Sequence, residues 1–180
     1  MTGAWEATCS VGLLLGRVMA LGVGRTVRFL LRAPVSLYRW RCGWLLGRRF
    51  LLLIHTGRRT GQRYETVLEV MEIRETPREF VVMSGFGPNA NWLRNIQAAC
   101  GEEVIVGGER FPATHRFLTP AEGAEVIARY EARYRLIAPL IRVVLSKLLG
   151  WRYDGSPASR LRAAEQLPLI AFSTSDTCSC

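Results

Sequence analysis

The chain has 180 residues, 49% of them hydrophobic, so one domain with a sizeable core is the default organisation. Its net charge of +9 is unevenly placed: residues 1–63 carry 11 arginines against one acid, Glu6, whereas residues 64–180 carry 13 basic and 14 acidic residues. This asymmetry points to an anionic partner for the N-terminal third, and five scattered cysteines with no Cys-x-x-Cys and only two histidines exclude a zinc-type metal site and read as reduced cytoplasmic thiols.

Residues 11–31 are apolar, but Arg17, Arg25, Arg28 and four glycines interrupt them, so no run is long enough to span a bilayer. Residues 1–10 hold only Glu6 as a charge, which does not fit a secretory signal. What remains is a basic, apolar, helical arm over residues 1–44, continued by Trp44 and Arg48-Arg49. Two readings fit it. Arginines interleaved with Trp, Leu and Tyr suit the headgroup boundary of an anionic membrane, which would place the protein peripherally on the inner face of the cell membrane. Alternatively the arm packs on the core or on the partner in a homodimer. Nucleic acid is not expected, because no recognition motif accompanies the charge.

After Arg49 the texture changes. Phe50 to Ile54 reads as a short buried strand, Thr66 to Ile73 as a partly alternating one, and Phe80 to Ser84 as a third. Gly85-Phe-Gly-Pro-Asn89 is a loop by composition and leads into a short helix over 90–99. Val104 to Val106 and Arg110 to Phe117 form a hairpin about Gly107-Gly108. Thr119-Pro120-Ala121-Glu122 combines an N-cap threonine, a proline at the first helical position and a glutamate three residues on. Val126, Tyr130, Tyr134 and Ile137 follow along one face. A second helix is predicted over about 139–149, a loop over 151–163, a last strand over 167–172 and a polar tail over 173–180. Hairpin-like connections predominate, so the fold class is α+β, an antiparallel sheet or small barrel with helices at its edge.

Catalytic side chains are scarce. There is no Gly-x-Ser-x-Gly elbow, no phosphate-binding Gly-x-x-x-x-Gly-Lys loop, and the only aspartates are Asp154 and Asp176. Glu102 and Glu103 point to opposite faces of a strand and read as solvated, and His55 and His115 as satisfied core or surface residues. Such a chain can still be an enzyme if a cofactor carries the chemistry. The stretch His55-Thr-Gly-Arg-Arg-Thr-Gly-Gln-Arg63-Tyr64 sets a glycine-bracketed pair of arginines at a strand–turn–strand tip, with a third arginine two residues on. It is either an ordinary hairpin turn with solvated arginines or an anion receptor built from guanidinium forks and turn amides. Ser84-Gly-Phe-Gly followed by Trp92-x-x-Asn95 offers a glycine loop and a helix start. Trp92 either walls a pocket there or packs in the core.

These two segments, in this order, resemble the deazaflavin-dependent nitroreductase family over roughly residues 45–172, the closing Leu167-Pro168-Leu-Ile included. The resemblance implies a split β-barrel flanked by helices that binds coenzyme F420, with FMN as the alternative. It also implies hydride transfer to a small-molecule electron acceptor such as a quinone or nitroaromatic. It puts the phosphate and acidic tail on Arg58 and Arg59, with Thr60, Gly61, Arg63 and Thr66 around them. It puts the ring edge on Ser84 and Gly85, the pocket wall on Trp92 and Asn95, and substrate contact or proton donation on Tyr130 and Tyr134. Many members carry Pro-Arg after the second glycine; here Arg63-Tyr64 displaces the arginine by one position, and a one-residue shift in a strand reverses the face. A non-enzymatic, membrane-associated lipid or cofactor carrier on the same barrel is the competing reading.

Overall fold

A computed structural model describes residues 48–98 and 101–174. The predicted arm over 1–44 and the tail beyond Thr174 lie outside them. Six strands, β1 (Phe50–Thr56), β2 (Arg63–Glu75), β3 (Arg78–Met83), β4 (Glu102–Val106), β5 (Glu109–Phe117) and β6 (Leu169–Thr174), close into an antiparallel barrel in the order β1-β2-β3-β6-β5-β4. The helices are α1 (Asn91–Ile96), α2 (Pro120–Arg133), α3 (Ala138–Leu149) and α4 (Pro157–Gln166). The α+β barrel expected from the hairpin-rich order is thus the fold.

Strand parity builds two cores. Alternate residues of a strand face opposite sides, and one set points inward: Leu51 and Leu53 of β1, Leu68 and Val70 of β2, Phe80 and Val82 of β3, Ile170 and Phe172 of β6. One end of this interior is plugged by the short α1, which contributes Trp92, Leu93 and Ile96. The outward set of β2, β3 and β6, including Met71, Val81, Leu169 and Ala171, packs against α2, α3 and α4 through Val126, Ile127, Leu145 and Ala163. Both faces of β3 and β6 are therefore buried, which explains their nearly unbroken apolar sequence.

All six predicted strands are present, although β2 runs from Arg63 to Glu75, beyond the expected Thr66 to Ile73 at both ends. The capping box of α2 is as expected: the Thr119 hydroxyl accepts from the Glu122 amide while the Glu122 carboxylate accepts from the Thr119 amide. Four expectations are corrected. Residues 151–163 are not all loop: α4 starts at Pro157, capped by the Ser156 hydroxyl, which accepts from Ser159 N–H. Its buried residues are the small Ser159, Ala163 and Ala164, so it carries little hydrophobic contrast to read. The helix over 90–99 is only Asn91–Ile96. Ile137 falls beyond the end of α2 and is exposed rather than on its packed face. Ser173 and Thr174 extend β6, pairing with Thr114 and Ala113.

A buried carboxylate ties three barrel strands together. Glu79, 5% exposed, contacts Arg74 at 3.1 Å and Arg116 at 3.1 Å. Hydrogen bonding from Arg116, ahead of the opposing effect of burial, holds its pKa below the ordinary carboxylate value. A carboxylate lowered in this way stabilises the fold above its unfolded-state pKa, and that stability is lost as pH falls through the folded value. Glu79→Gln is expected to cost about 1–3 kcal/mol near neutrality, the range for a charged hydrogen-bond network. In urea unfolding followed from neutral to acid pH, the gap between variant and wild type should close below about pH 4. A gap that stays constant with pH would exclude an ionised Glu79 as its source.

Candidate active site

At the α1-plugged end of the barrel, the β1–β2 turn is held by its own backbone. The Gly57 amide donates to the Gln62 carbonyl and the Gly61 amide to the Gly57 carbonyl, at 2.8 Å each. Gly61 adopts φ +65°, a left-handed conformation with open space where a Cβ would sit. Gly57 is required for a different reason. The Tyr64 ring lies across the turn, and a Cβ on Gly57 would collide with it. Tyr64 in turn stacks near His55, with ring centroids 6.1 Å apart, and its hydroxyl meets the Thr60 hydroxyl at 3.2 Å.

A buried polar chain links this turn to the barrel and to α1. His55 and Asn95 are 4% and 7% exposed. The Asn95 side-chain oxygen accepts from the Arg58 backbone N–H at 3.3 Å and from Arg58 Nη1 at 2.8 Å. Its amide nitrogen lies 3.2 Å from His55 Nδ1, and His55 Nε2 lies 3.2 Å from the Thr66 hydroxyl. With Asn95 Nδ2 as donor, Nδ1 is the unprotonated nitrogen and Nε2–H donates to Thr66. Burial lowers the His55 pKa below its ordinary value, against the raising pull of Glu102, and so favours this neutral tautomer.

The cations at the turn differ in what engages them. Arg58 is held by a neutral amide, and Arg59 is exposed with no carboxylate partner among the described residues. Arg63 faces the other side of the strand and is paired with Glu103 at 2.9 Å, with Arg110 on the same carboxylate at 3.3 Å. The amides of Arg59 and Thr60 have no acceptor among the described residues. Two guanidinium groups without a carboxylate partner, beside open turn amides, have the chemistry to receive an anion.

The second predicted segment lies across the same end. Ser84 is fully buried, its hydroxyl donating to the Gly87 carbonyl at 2.7 Å and its amide to the Pro168 carbonyl at 2.9 Å. It braces the loop, which leaves the Gly85 and Phe86 amides without an acceptor among the described residues. Trp92 is 8% exposed and belongs to the interior core beneath Asn95.

Tyr130 and Tyr134 stand apart from the arginine turn. On the outer layer their ring centroids are 4.9 Å apart, the Tyr130 hydroxyl donates to Glu69 at 2.7 Å, and the Arg49 guanidinium lies 5.0 Å from the Tyr134 ring centroid. Glu69 is six residues along β2 from Arg63, roughly 20 Å at strand rise. It is also next to Val70, the partner of Val82, so the tyrosines sit near the strand end from which the Ser84–Gly87 loop springs. Burial first, then the bond to Glu69, raises the Tyr130 hydroxyl above the usual tyrosine range, so it stays protonated.

His55 is the site residue that sequence reasoning left in the background; it continues the inward parity of Leu51 and Leu53, the one signal that marks it. Glu102, expected to be solvated, is instead 4% exposed with its carboxylate 2.9 Å from His115, because pairing of Glu102 with Ala113 sets it beside β5.

The model of the F420H(2)-dependent quinone reductase family matches residues 31–139, more than half of the chain. The chain belongs to that family. It is an F420-dependent oxidoreductase. No curated protein matches it. Among solved structures the chain is similar to an F420-H2 dependent reductase, FDR-A, at 16% identity and a TM-score of 0.44, over 71% of this chain and 96% of that one. It is also similar to a pyridoxamine 5′-phosphate oxidase-related, FMN-binding protein from Nostoc punctiforme, at 11% identity and a TM-score of 0.41, over 96% of this chain and 81% of that one. The family assignment rests on the family match and not on these likenesses.

The lowered pKa of His55 predicts a pH signature. A histidine that is harder to protonate when folded makes the fold less stable as pH falls from about 6.5 towards its folded value. His55→Gln, neutral at every pH, should remove that part of the loss. Unfolding free energies at pH 8 and pH 5 should differ less in the variant; an equal difference in both proteins would mean His55 does not carry the effect.

Proposed function

We propose that the protein transfers a hydride from reduced coenzyme F420 to a small activated acceptor, a quinone or a nitroaromatic. The observation that carries the reading is the turn at which Arg58 and Arg59 stand beside open amides while Asn95 fixes Arg58 from below. Reduced coenzyme F420 supplies the hydride when bound, and the chain's own residues bind, orient and shield. Arg58, Arg59 and the amides of Arg59 and Thr60 hold the phosphate and acidic tail. The Gly85 and Phe86 amides meet the ring edge, with Ser84 keeping the loop closed. Asn95 forms the wall between turn and loop, and Trp92 backs it from the barrel interior. Tyr130 and Tyr134 contact the acceptor; the raised pKa of Tyr130 and its bond to Glu69 suit it to hydrogen bonding rather than to giving up its proton.

Arg63, already neutralised by Glu103, contributes less than the pair. The net charge of +10 over residues 1–63 supports a peripheral position on an anionic membrane.

A tail with several negative charges suits two arginines better than one phosphate does, so coenzyme F420 should bind more tightly than FMN in parallel titrations. Arg58→Ala/Arg59→Ala should weaken coenzyme F420 binding by about 2–5 kcal/mol, as for truncated charge pairs at interfaces. Arg63→Ala should weaken it less. Unchanged affinity in the double variant would remove the turn from the site, and tighter binding of FMN would reverse the cofactor choice.

A further inference from the structure

One apolar surface of the described residues is left uncovered. α3 buries Leu145 and Leu149 against the barrel, while its other side and the turn before it expose Leu136, Ile137, Leu140, Val143, Val144 and Leu148. Leu136 is 90% exposed and Leu140 61%. The positions recur every three or four residues and so form one stripe. A contiguous apolar stripe of this kind marks a contact surface.

Charge selects the occupant. Residues 132–153 hold five cations, Arg133, Arg135, Arg142, Lys147 and Arg152, and no acid. Arg142 is engaged by the buried Glu131 at 3.6 Å, whereas Arg133, Arg135 and Arg152 have no carboxylate partner among the described residues. At the C-terminal end of α3, Arg142, Lys147, Trp151 and Arg152 contribute to an open depression of about 610 Å³. A second copy of the chain placed stripe to stripe would set cations against cations. Residues 1–47, with six arginines and one acid, would do the same. An anionic bilayer satisfies both features, since apolar side chains enter the acyl boundary while Arg and Lys remain among phosphates.

We infer that α3 is a membrane-docking helix that lies in the interface of an anionic bilayer, with the basic depression at its end receiving lipid headgroup phosphates. The docking does not depend on the cofactor assignment. Combined with it, docking has a consequence for the site. Leu148 approaches Gly85 so closely that a Cβ there would lie 3.7 Å from it, and Phe86 beside it is 59% exposed. Docking through α3 therefore brings the glycine loop to the lipid, where an acceptor dissolved in the bilayer reaches it without crossing water.

The test uses the full-length protein and flotation with vesicles of phosphatidylcholine alone or with roughly 30% phosphatidylglycerol, at low and high salt. Binding should require the anionic lipid and fall with salt. Leu140→Glu/Val144→Glu alters exposed positions only, so melting should be unchanged, and vesicle affinity should drop about tenfold or more. Arg135→Glu/Arg152→Glu keeps the stripe and should weaken the preference for anionic vesicles. Both variants should bind coenzyme F420 in free solution as wild type does, which separates failure of the docking from failure of the cofactor assignment. Wild-type vesicle affinity in both variants would overturn the inference and leave the N-terminal arm as the membrane contact. Absence of vesicle binding, with a dimer that Leu140→Glu/Val144→Glu converts to monomer, would overturn it in favour of a second copy on the stripe.

Discussion

The side chain of Asn95 is the joint on which the candidate site depends. Its oxygen takes two hydrogen bonds from Arg58 and its nitrogen faces His55, so one buried amide connects the arginine turn, the barrel wall and the helix that plugs the barrel. A buried amide left without partners is costly, so each member of the chain constrains the others. Arg58 is thereby held in position by a neutral acceptor that leaves its charge uncompensated. A carboxylate in place of Asn95 would also hold the guanidinium, but it would neutralise the charge that an anionic ligand needs.

The two cores give this joint its rigidity and divide the work. The inner core, with Trp92 and Leu93 in the barrel mouth, fixes α1 and therefore Asn95. The outer core sets Tyr130 and Tyr134 on α2 against β2, near the root of the glycine loop. The arginine turn at the start of β2 and the tyrosine pair that meets Glu69 thus lie against two points of one strand, Glu69 being six residues along β2 from Arg63.

The barrel was legible because hairpin strands announce themselves locally: alternation, glycine turns and the Thr119 capping box all act within a few residues. α4 was missed although Ser156-Pro157 repeats the start signal of Thr119-Pro120, because its buried face is made of serine and alanine. Features that depend on distant pairing were not legible. His55 reaches Asn95 across 40 positions, and Glu102 meets His115 only through the β4–β5 register. Arg63 shows the converse. Strand alternation, which is local, puts its guanidinium on the Glu103 side of β2, with Tyr64 lying over the turn. Family resemblance brought the turn and the Ser84–Asn95 segment to notice together, and the hydrogen bonds from Arg58 to Asn95 supply a physical link between them.

A double-mutant cycle on coenzyme F420 binding tests this account most directly, with Asn95→Ala and Arg58→Ala made singly and together. If Asn95 acts by positioning Arg58, Asn95→Ala weakens binding in the wild-type background and changes it little once Arg58 is gone, so the two losses are strongly non-additive. Additive losses, or undiminished affinity in Asn95→Ala, would contradict the account.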